Sequence, residues 1–267
     1  MFGTNPIRKQ RLESGLELNV QSIFPTIQGE GPFAGKPAVF LRLAGCNLKC
    51  HFCDTDFESR RQTKSLYDVV AEISKLSAWD KVVATTLVVI TGGEPFIQNI
   101  VPLCEMLILK GFDVQIETAG TLWNPGLEDV FENDRLTIVC SPKTGKVHSK
   151  IESYCFDWKY LIQEGQVDAT DGLPNQSTQV PGVSLRLFRS NRRTDRIWLQ
   201  PCEAYKVEKE IKLTPLTLNV EEMSDQKVTS SIRDQVQSQR NITLARDLAM
   251  KYNYRISLQV HKFLGIP

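Results

Sequence analysis

The sequence predicts an α/β protein built on a parallel sheet or a barrel-like version of one. Three observations carry that expectation. Short β-rich runs alternate with stretches of helical apolar spacing. Polar, Gly and Pro residues collect just past the carboxyl ends of successive strands, and no internal repeat or low-complexity tract breaks the order. In parallel α/β folds that edge is where ligands bind, so the second observation is also a first statement about function.

The elements follow in order. LNVQSIF (18–24) and AVFLRL (38–43) are β-rich runs separated by Gly and Pro turn signals. SLYDVVAEISKLSA (65–78) carries apolar residues at helical spacing, and Ser65 with Asp68 opens it as a capping box. Strand TLVVIT (86–91), helix QNIVPLCEMLILK (98–110) and strand FDVQIET (112–118) come next. LTIVCS (136–141), FDWKYLIQ (156–163) and RIWLQ (196–200) read as further strands. NITLARDLAMKY (241–252) predicts a helix and RISLQV (255–260) a last strand. Two segments depart from this rhythm. Residues 164–184, rich in turn formers, predict an excursion from the sheet, and the polar NVEEMSDQKVTSS (219–231) predicts a loop or helix lead-in. The expected organisation is a single domain over residues 1–267 with insertions near 164–195 and 203–235.

Bulk composition narrows the function. The formal net charge is +1, from 32 Lys plus Arg against 31 Asp plus Glu, which argues against a protein that grips nucleic acid through its phosphates. The longest apolar runs are too short to span a bilayer, and the polar start MFGTNPIRKQRLESG lacks an apolar signal core, so a cytoplasmic location is expected. Of the seven cysteines, Cys104, Cys140, Cys155 and Cys202 lie scattered in apolar contexts and are expected to act as small core residues.

The other three are different. RLAGCNLKCHFCDTDFE (42–58) places Cys46, Cys50 and Cys53 inside eight residues, which is metal-ligand spacing. Structural zinc usually takes four protein ligands, and a [4Fe–4S] cluster held by thiolates normally uses four as well. His51 follows Cys50 directly, so turning both side chains onto one ion would strain the loop. Three thiolates leave a coordination position open, the mark of a reactive rather than a structural site. Past the strand ends lie TGGEP (91–95), ETAGT (117–121), SPK (141–143), QP (200–201) and HK (261–262), which together favour one site along that edge.

The C-x3-C-x2-C spacing, with Phe52 before the last Cys and TGGEP a few dozen residues on, resembles the radical S-adenosylmethionine (SAM) enzymes. The resemblance implies an incomplete, open TIM-like (β/α) barrel. It also implies a [4Fe–4S] cluster whose open iron chelates SAM and whose electron cleaves SAM to a 5′-deoxyadenosyl radical. Gly92 and Gly93 would let the backbone approach the methionine part, and Glu94 would pair with its ammonium.

FPTIQGEGPFAGKPAVFLRLAGCNLKCHFCDT (24–55), TGGEP, ETAGT, SPK and SLQVHKFLGIP (257–267) further resemble the 7-carboxy-7-deazaguanine synthase family. That family resemblance implies conversion of 6-carboxy-5,6,7,8-tetrahydropterin to 7-carboxy-7-deazaguanine with release of ammonia, on the route to queuosine and other deazapurines. By position it implies that Cys46, Cys50 and Cys53 hold the cluster. It places Phe52, Cys53, Asp54, Gly93, Ser141, Pro142, Lys143 and Gln200 along SAM and Thr55 on Mg²⁺. Ile27, Gln28, Gly29, Arg42, Thr91 and Pro267 would contact substrate. Arg42 suits a pterin carboxylate, and Gln28 and Glu30 suit its ring edge. Arg42 alternates with Leu41 and Leu43, though, and could equally face outward, Glu30 could complete a turn, and His261 could be structural. The apolar FLGIP is expected to be tied down with the Pro267 carboxylate at the pocket.

Partners follow from the same resemblance: a small pterin substrate, a reductant of the flavodoxin or ferredoxin type, and a second copy in a homodimer, with no membrane and no direct nucleic acid. Two rival readings stay open on the residues alone. One is another radical SAM enzyme, such as a glycyl-radical activator; the other is a zinc-stabilised RNA-binding module.

Overall fold

The computed structural model describes residues 5–79, 82–83, 85–131, 134–212 and 227–266. In chain order it contains β1 (Glu17–Ile27), β2 (Pro37–Leu43), β3 (Gln62–Ser65), α1 (Leu66–Ser77), β4 (Ala78–Trp79), β5 (Val82–Val83), β6 (Leu87–Gly92) and α2 (Val101–Leu109). There follow β7 (Asp113–Thr118), α3 (Leu127–Val130), β8 (Leu136–Cys140), α4 (Ser149–Tyr154), β9 (Asp157–Ile162) and β10 (Ile197–Pro201). The last elements are β11 (Tyr205–Lys212), β12 (Lys227–Arg233), α5 (Gln235–Tyr252), β13 (Arg255–Ile256) and α6 (Val260–Leu264).

Nine strands form one sheet in the order β13-β10-β9-β8-β7-β6-β2-β1-β3. Every pairing from β2 to β13 is parallel, while β1 runs antiparallel to β2 and β3. Strands β3 and β13 are the two edges, so the sheet is an open one. Parallel neighbours need crossovers, and α1, α2, α3, α4 and α5 lie in them, except between β9 and β10, where the connection carries no α-helix.

Period-two alternation decides which side chains see the helices and which see the inner face. Val39, Leu41, Leu43, Val88, Ile90, Val114, Ile116, Ile138, Trp158, Tyr160, Ile162 and Leu199 pack with α1 and α2 in one core. The residues between them, including Phe40, Arg42, Glu117, Val139, Lys159, Leu161 and Gln200, turn to the opposite face. A parallel sheet buried on both sides would be apolar throughout; here the inner face carries charges, which is what a ligand-binding face requires.

Most predicted elements fall where the sequence puts them. Ser65 caps α1 by accepting the Asp68 N–H at 3.1 Å. Helix α2 starts later than predicted, because Asn99 is spent accepting the Val101 N–H at 3.2 Å and Asn124 accepts the Ile100 N–H at 2.9 Å. Helix α5 starts earlier, at Gln235, with Asp234 accepting the Gln237 N–H at 3.1 Å. Two expectations need correction. The predicted strand 255–260 is strand only at Arg255–Ile256. Ser257 N still bonds Leu199 O at 2.9 Å, but Val260 N turns to Gly29 O at 3.2 Å, and helix α6 carries His261 and Lys262. Within the predicted loop 219–231, residues from Lys227 onward are strand β12, paired antiparallel with β11; residues 219–226 lie outside the described residues. The β-branched Val228 and Thr229 favour strand in an otherwise polar segment. Between β9 and β10 the excursion contains only isolated bridges and the turn Thr194–Arg196. No helix among the described residues is long and apolar enough to cross a membrane.

Candidate active site

A cavity of about 290 Å³ opens on the inner face at the carboxyl ends of the parallel strands. The loop after β2 forms one wall with Cys46, Cys50, Phe52, Cys53, Asp54 and Thr55. The strand ends supply Thr91, Gly92, Gly93, Glu117, Ser141, Lys143 and Gln200, and the segment before β2 supplies Ile27, Gln28 and Glu30. His261 joins them from α6. The five polar clusters past the strand ends thus do meet, although His261 arrives on a helix.

The three thiols are free. Arg8 N donates to Cys46 O at 2.7 Å and Cys53 N to Cys50 O at 3.2 Å, so backbone bonds pin the loop at both ends. Withdrawal from water pushes the Cys46 thiol up to about 12, and burial likewise raises Cys53. Thiols this reluctant to ionise become thiolates when a metal supplies the positive charge. All three line one cavity. A donor set made of thiols alone fits an iron–sulfur cluster, in which each thiolate takes its own iron. The other cysteines are packing residues: Cys104, Cys140 and Cys155 are buried and Cys202 half-buried.

The TGGEP segment does two jobs. A Cβ on Gly92 would lie 2.1 Å from Leu43 O, and one on Gly93 would lie 2.0 Å from Gly45 O. Both glycines therefore let β6 end against the base of the thiol loop while they line the cavity. Glu94, expected to pair with an ammonium, is fully buried and is not among the cavity-lining residues. Its carboxylate accepts Thr118 Oγ1–H at 2.7 Å, Ala119 N–H at 2.8 Å and Phe96 N–H at 3.2 Å. Burial nevertheless raises its pKa. Those bonds tie β6 to β7. Lys143 does line the cavity and donates to Ser141 O at 3.0 Å and Ser141 Oγ at 2.6 Å, with its pKa lowered by burial. Pro142 instead lines a neighbouring cavity of about 30 Å³.

At the other end the inner strands build a charged floor whose central lysine, Lys159, sequence reading missed. Lys159 is buried and pairs with Glu30, and its Nζ lies 3.9 Å from Glu117. Gln200 and Gln259 donate to Glu30 Oε1 at 3.1 and 2.8 Å, and Gln28 donates to Glu117 at 3.1 Å. Burial pushes the Glu30 carboxyl up, but the Lys159 charge and the hydrogen bonds from Lys159 and Gln259 outweigh it and hold the group below the usual carboxylate range. Lys159 is held above its ordinary value, burial being outweighed by Glu117 and Glu30. Arg42 faces inward, its guanidinium 5.6 Å from the Phe24 ring centroid. Its buried Nε has no hydrogen-bond partner among the described residues, and neither has Gln200 Oε1. Orphaned polar atoms in a cavity wall mark where a polar ligand would bind. Gly29 does not line the cavity: a Cβ there would meet His261 Nδ1 at 2.1 Å, so this glycine seats α6. Pro267 lies outside the described residues. Thr55 lines the cavity and donates to Asp54 at 3.0 Å.

Known proteins share these features. Residues 41–140 match the family model described as the radical SAM superfamily. The 7-carboxy-7-deazaguanine synthase of Rhodospirillum rubrum is 40% identical over 266 residues, spanning 100% of both chains. That of Rickettsia prowazekii is 37% identical across 100% of this chain and 96% of its own length. A solved structure, the crystal structure of QueE from Escherichia coli, superposes with a TM-score of 0.59 at 22% identity, covering 92% of this chain and 98% of that one. The open sheet is accordingly an incomplete (β/α) barrel of the radical SAM type. With full-length relatives at this identity and a three-thiol loop walling its cavity, the chain belongs to the 7-carboxy-7-deazaguanine synthase family of the radical SAM superfamily.

Proposed function

We propose that the chain is a radical SAM lyase that converts 6-carboxy-5,6,7,8-tetrahydropterin to 7-carboxy-7-deazaguanine and releases ammonia, in queuosine and deazapurine biosynthesis. The observation that carries this reading is the juxtaposition in one cavity of the three-thiol loop with the unpaired Arg42 Nε and the Glu30–Lys159–Glu117 floor. Cys46, Cys50 and Cys53 would hold a [4Fe–4S] cluster, which when bound supplies the electron that cleaves SAM. Phe52, Asp54, Gly93, Ser141 and Lys143, which line the cavity, would flank SAM. Arg42 offers a cation to the pterin carboxylate. Gln28, Thr91 and Gln200 offer a polar wall to the ring edge, and the carboxylates of Glu30 and Glu117 can accept from its amino groups.

Thr55 is the candidate contact for Mg²⁺, a Lewis acid that would polarise the substrate. A low-potential flavodoxin- or ferredoxin-type protein is the expected electron source. A sheet that ends in two edge strands, β3 and β13, is consistent with a homodimer. The deciding assay incubates cluster-reconstituted protein with dithionite, SAM and Mg²⁺ and the carboxytetrahydropterin under anaerobic conditions. Formation of 7-carboxy-7-deazaguanine is the expected result; SAM cleavage without that product refutes the substrate assignment. Ala in place of Cys46, Cys50 or Cys53 should abolish SAM cleavage.

A further inference from the structure

The excursion between β9 and β10 doubles back onto the thiol loop. His51 N donates to Thr178 O at 3.0 Å and Lys49 N donates to Gln179 Oε1 at 2.7 Å. The Gln179 Nε2 lies 3.1 Å from Cys50 Sγ and 2.7 Å from Thr178 Oγ1. Because Oε1 is committed to the Lys49 N–H, the NH₂ end must face the sulfur. The turn that presents it is itself fixed, since Ser177 Oγ accepts the N–H groups of Gln179 and Val180 at 3.2 and 3.1 Å. Thr178 does not compete as a donor, because its hydroxyl donates to Lys143 O at 2.8 Å. By contrast, among the described residues Cys46 Sγ receives only the backbone N–H of Leu48, at 3.4 Å, and Cys53 Sγ faces the Thr55 carbonyl. Among the described residues, Gln179 is the one side chain from outside the loop that offers an N–H to any of the three sulfurs.

We infer that Gln179 is a positioning residue for the cluster: its amide donates a hydrogen bond to the Cys50 thiolate and so raises the reduction potential of the iron–sulfur cluster. The inference rests on Cys50 being a cluster ligand. Reduction adds one electron, taken from a low-potential donor, to the cluster; no bond to the protein forms or breaks and no proton moves. The added charge is shared with the thiolate sulfurs, so a donor aimed at one sulfur favours the reduced form over the oxidised one. The anchored amide keeps that donor in place without reorganisation during electron transfer.

The test is an anaerobic dithionite titration of the reconstituted full chain, read by the electron paramagnetic resonance signal of the reduced cluster. Two variants are compared with the wild type. Gln179→Leu removes the donor without adding charge. Gln179→Glu keeps an acceptor for Lys49 N–H and withholds the proton from sulfur. At the potential where the wild type is half reduced, both are expected to show a reduced-to-oxidised ratio three- to tenfold lower, tenfold being about 59 mV for one electron. Iron and sulfide content should match the wild type. An unchanged potential in either variant with a full cluster overturns the inference. Should Gln179→Leu fail to assemble a cluster, Gln179→Glu decides. No cluster signal in the wild type would instead overturn the ligand assignment, and the inference with it.

Discussion

Replacing Lys159 by Met takes away the cation that Glu30 and Glu117 share beneath the cavity. Met fills nearly the same length, so the change is mainly one of charge. Removing one partner of a buried ion pair costs about 3–5 kcal/mol, because it strands the other charge. The stranded group has an escape, and that makes the prediction specific. In the wild type, burial is the largest single influence on Glu30 and it raises the pKa, but Lys159 and the hydrogen bonds outweigh it. Without Lys159, burial wins and Glu30 titrates above its usual range. The signs then differ. A carboxyl depressed in the folded state contributes stability above its unfolded pKa of about 4.3 and loses it as pH falls. A carboxyl raised in the folded state loses stability as pH rises. The gap between wild type and K159M should therefore be about 3–5 kcal/mol near pH 8 and should shrink toward pH 5, at no more than about 1.4 kcal/mol per pH unit for one proton. Urea unfolding followed by tryptophan fluorescence at several pH values reads this directly, since Trp158 adjoins Lys159 and is buried. Equal stability at pH 8, or a gap that does not move with pH, would refute the reasoning.

Three further outcomes follow from the site. Arg42→Met should raise KM for the carboxytetrahydropterin by roughly 10- to 100-fold, the loss of one charged hydrogen bond, with Arg42→Lys recovering part of it in steady-state kinetics. Glu94→Gln should lower stability by about 1–3 kcal/mol, because an NH₂ group then opposes one of the three donors that the carboxylate satisfies, while SAM affinity measured by equilibrium dialysis stays unchanged. Gly93→Ala should lower the iron bound per chain after reconstitution, because a Cβ 2.0 Å from Gly45 O must push the thiol loop off its seat.

The sheet core was legible because its strands are apolar runs bounded by turn residues, and α1 because Ser65 and Asp68 mark its start. The thiol loop was legible for a different reason: three cysteines inside eight residues carry metal-ligand spacing. Lys159 was not, although a signal existed. It is a charge in the middle of a mostly apolar strand that also begins with Asp157, and period-two counting places it on the same face as Glu117 and Gln200 once the strand order is known. That order is a property of the whole chain: Lys159 and Glu30 are 129 residues apart. The internal bonding of Glu94 was not legible either: Pro95 starts a 3-10 turn, and the carboxylate folds back to accept from Phe96 N. The end of the last strand was misread because apolar alternation alone cannot register that Val260 N is taken by Gly29 O.

The seating of α6 against Gly29 has a consequence for biosynthesis. Gly31 N donates to Ser257 Oγ at 3.0 Å across 226 residues, and Gln259 reaches Glu30 across 229. A nascent chain halted before residue 257 would already own its sulfurs, its arginine and most of its sheet, yet one side of its cavity would still stand open to water. Gln259 and His261 both line that cavity, so the segment after residue 256 completes a wall that helps hold water off the reacting groups.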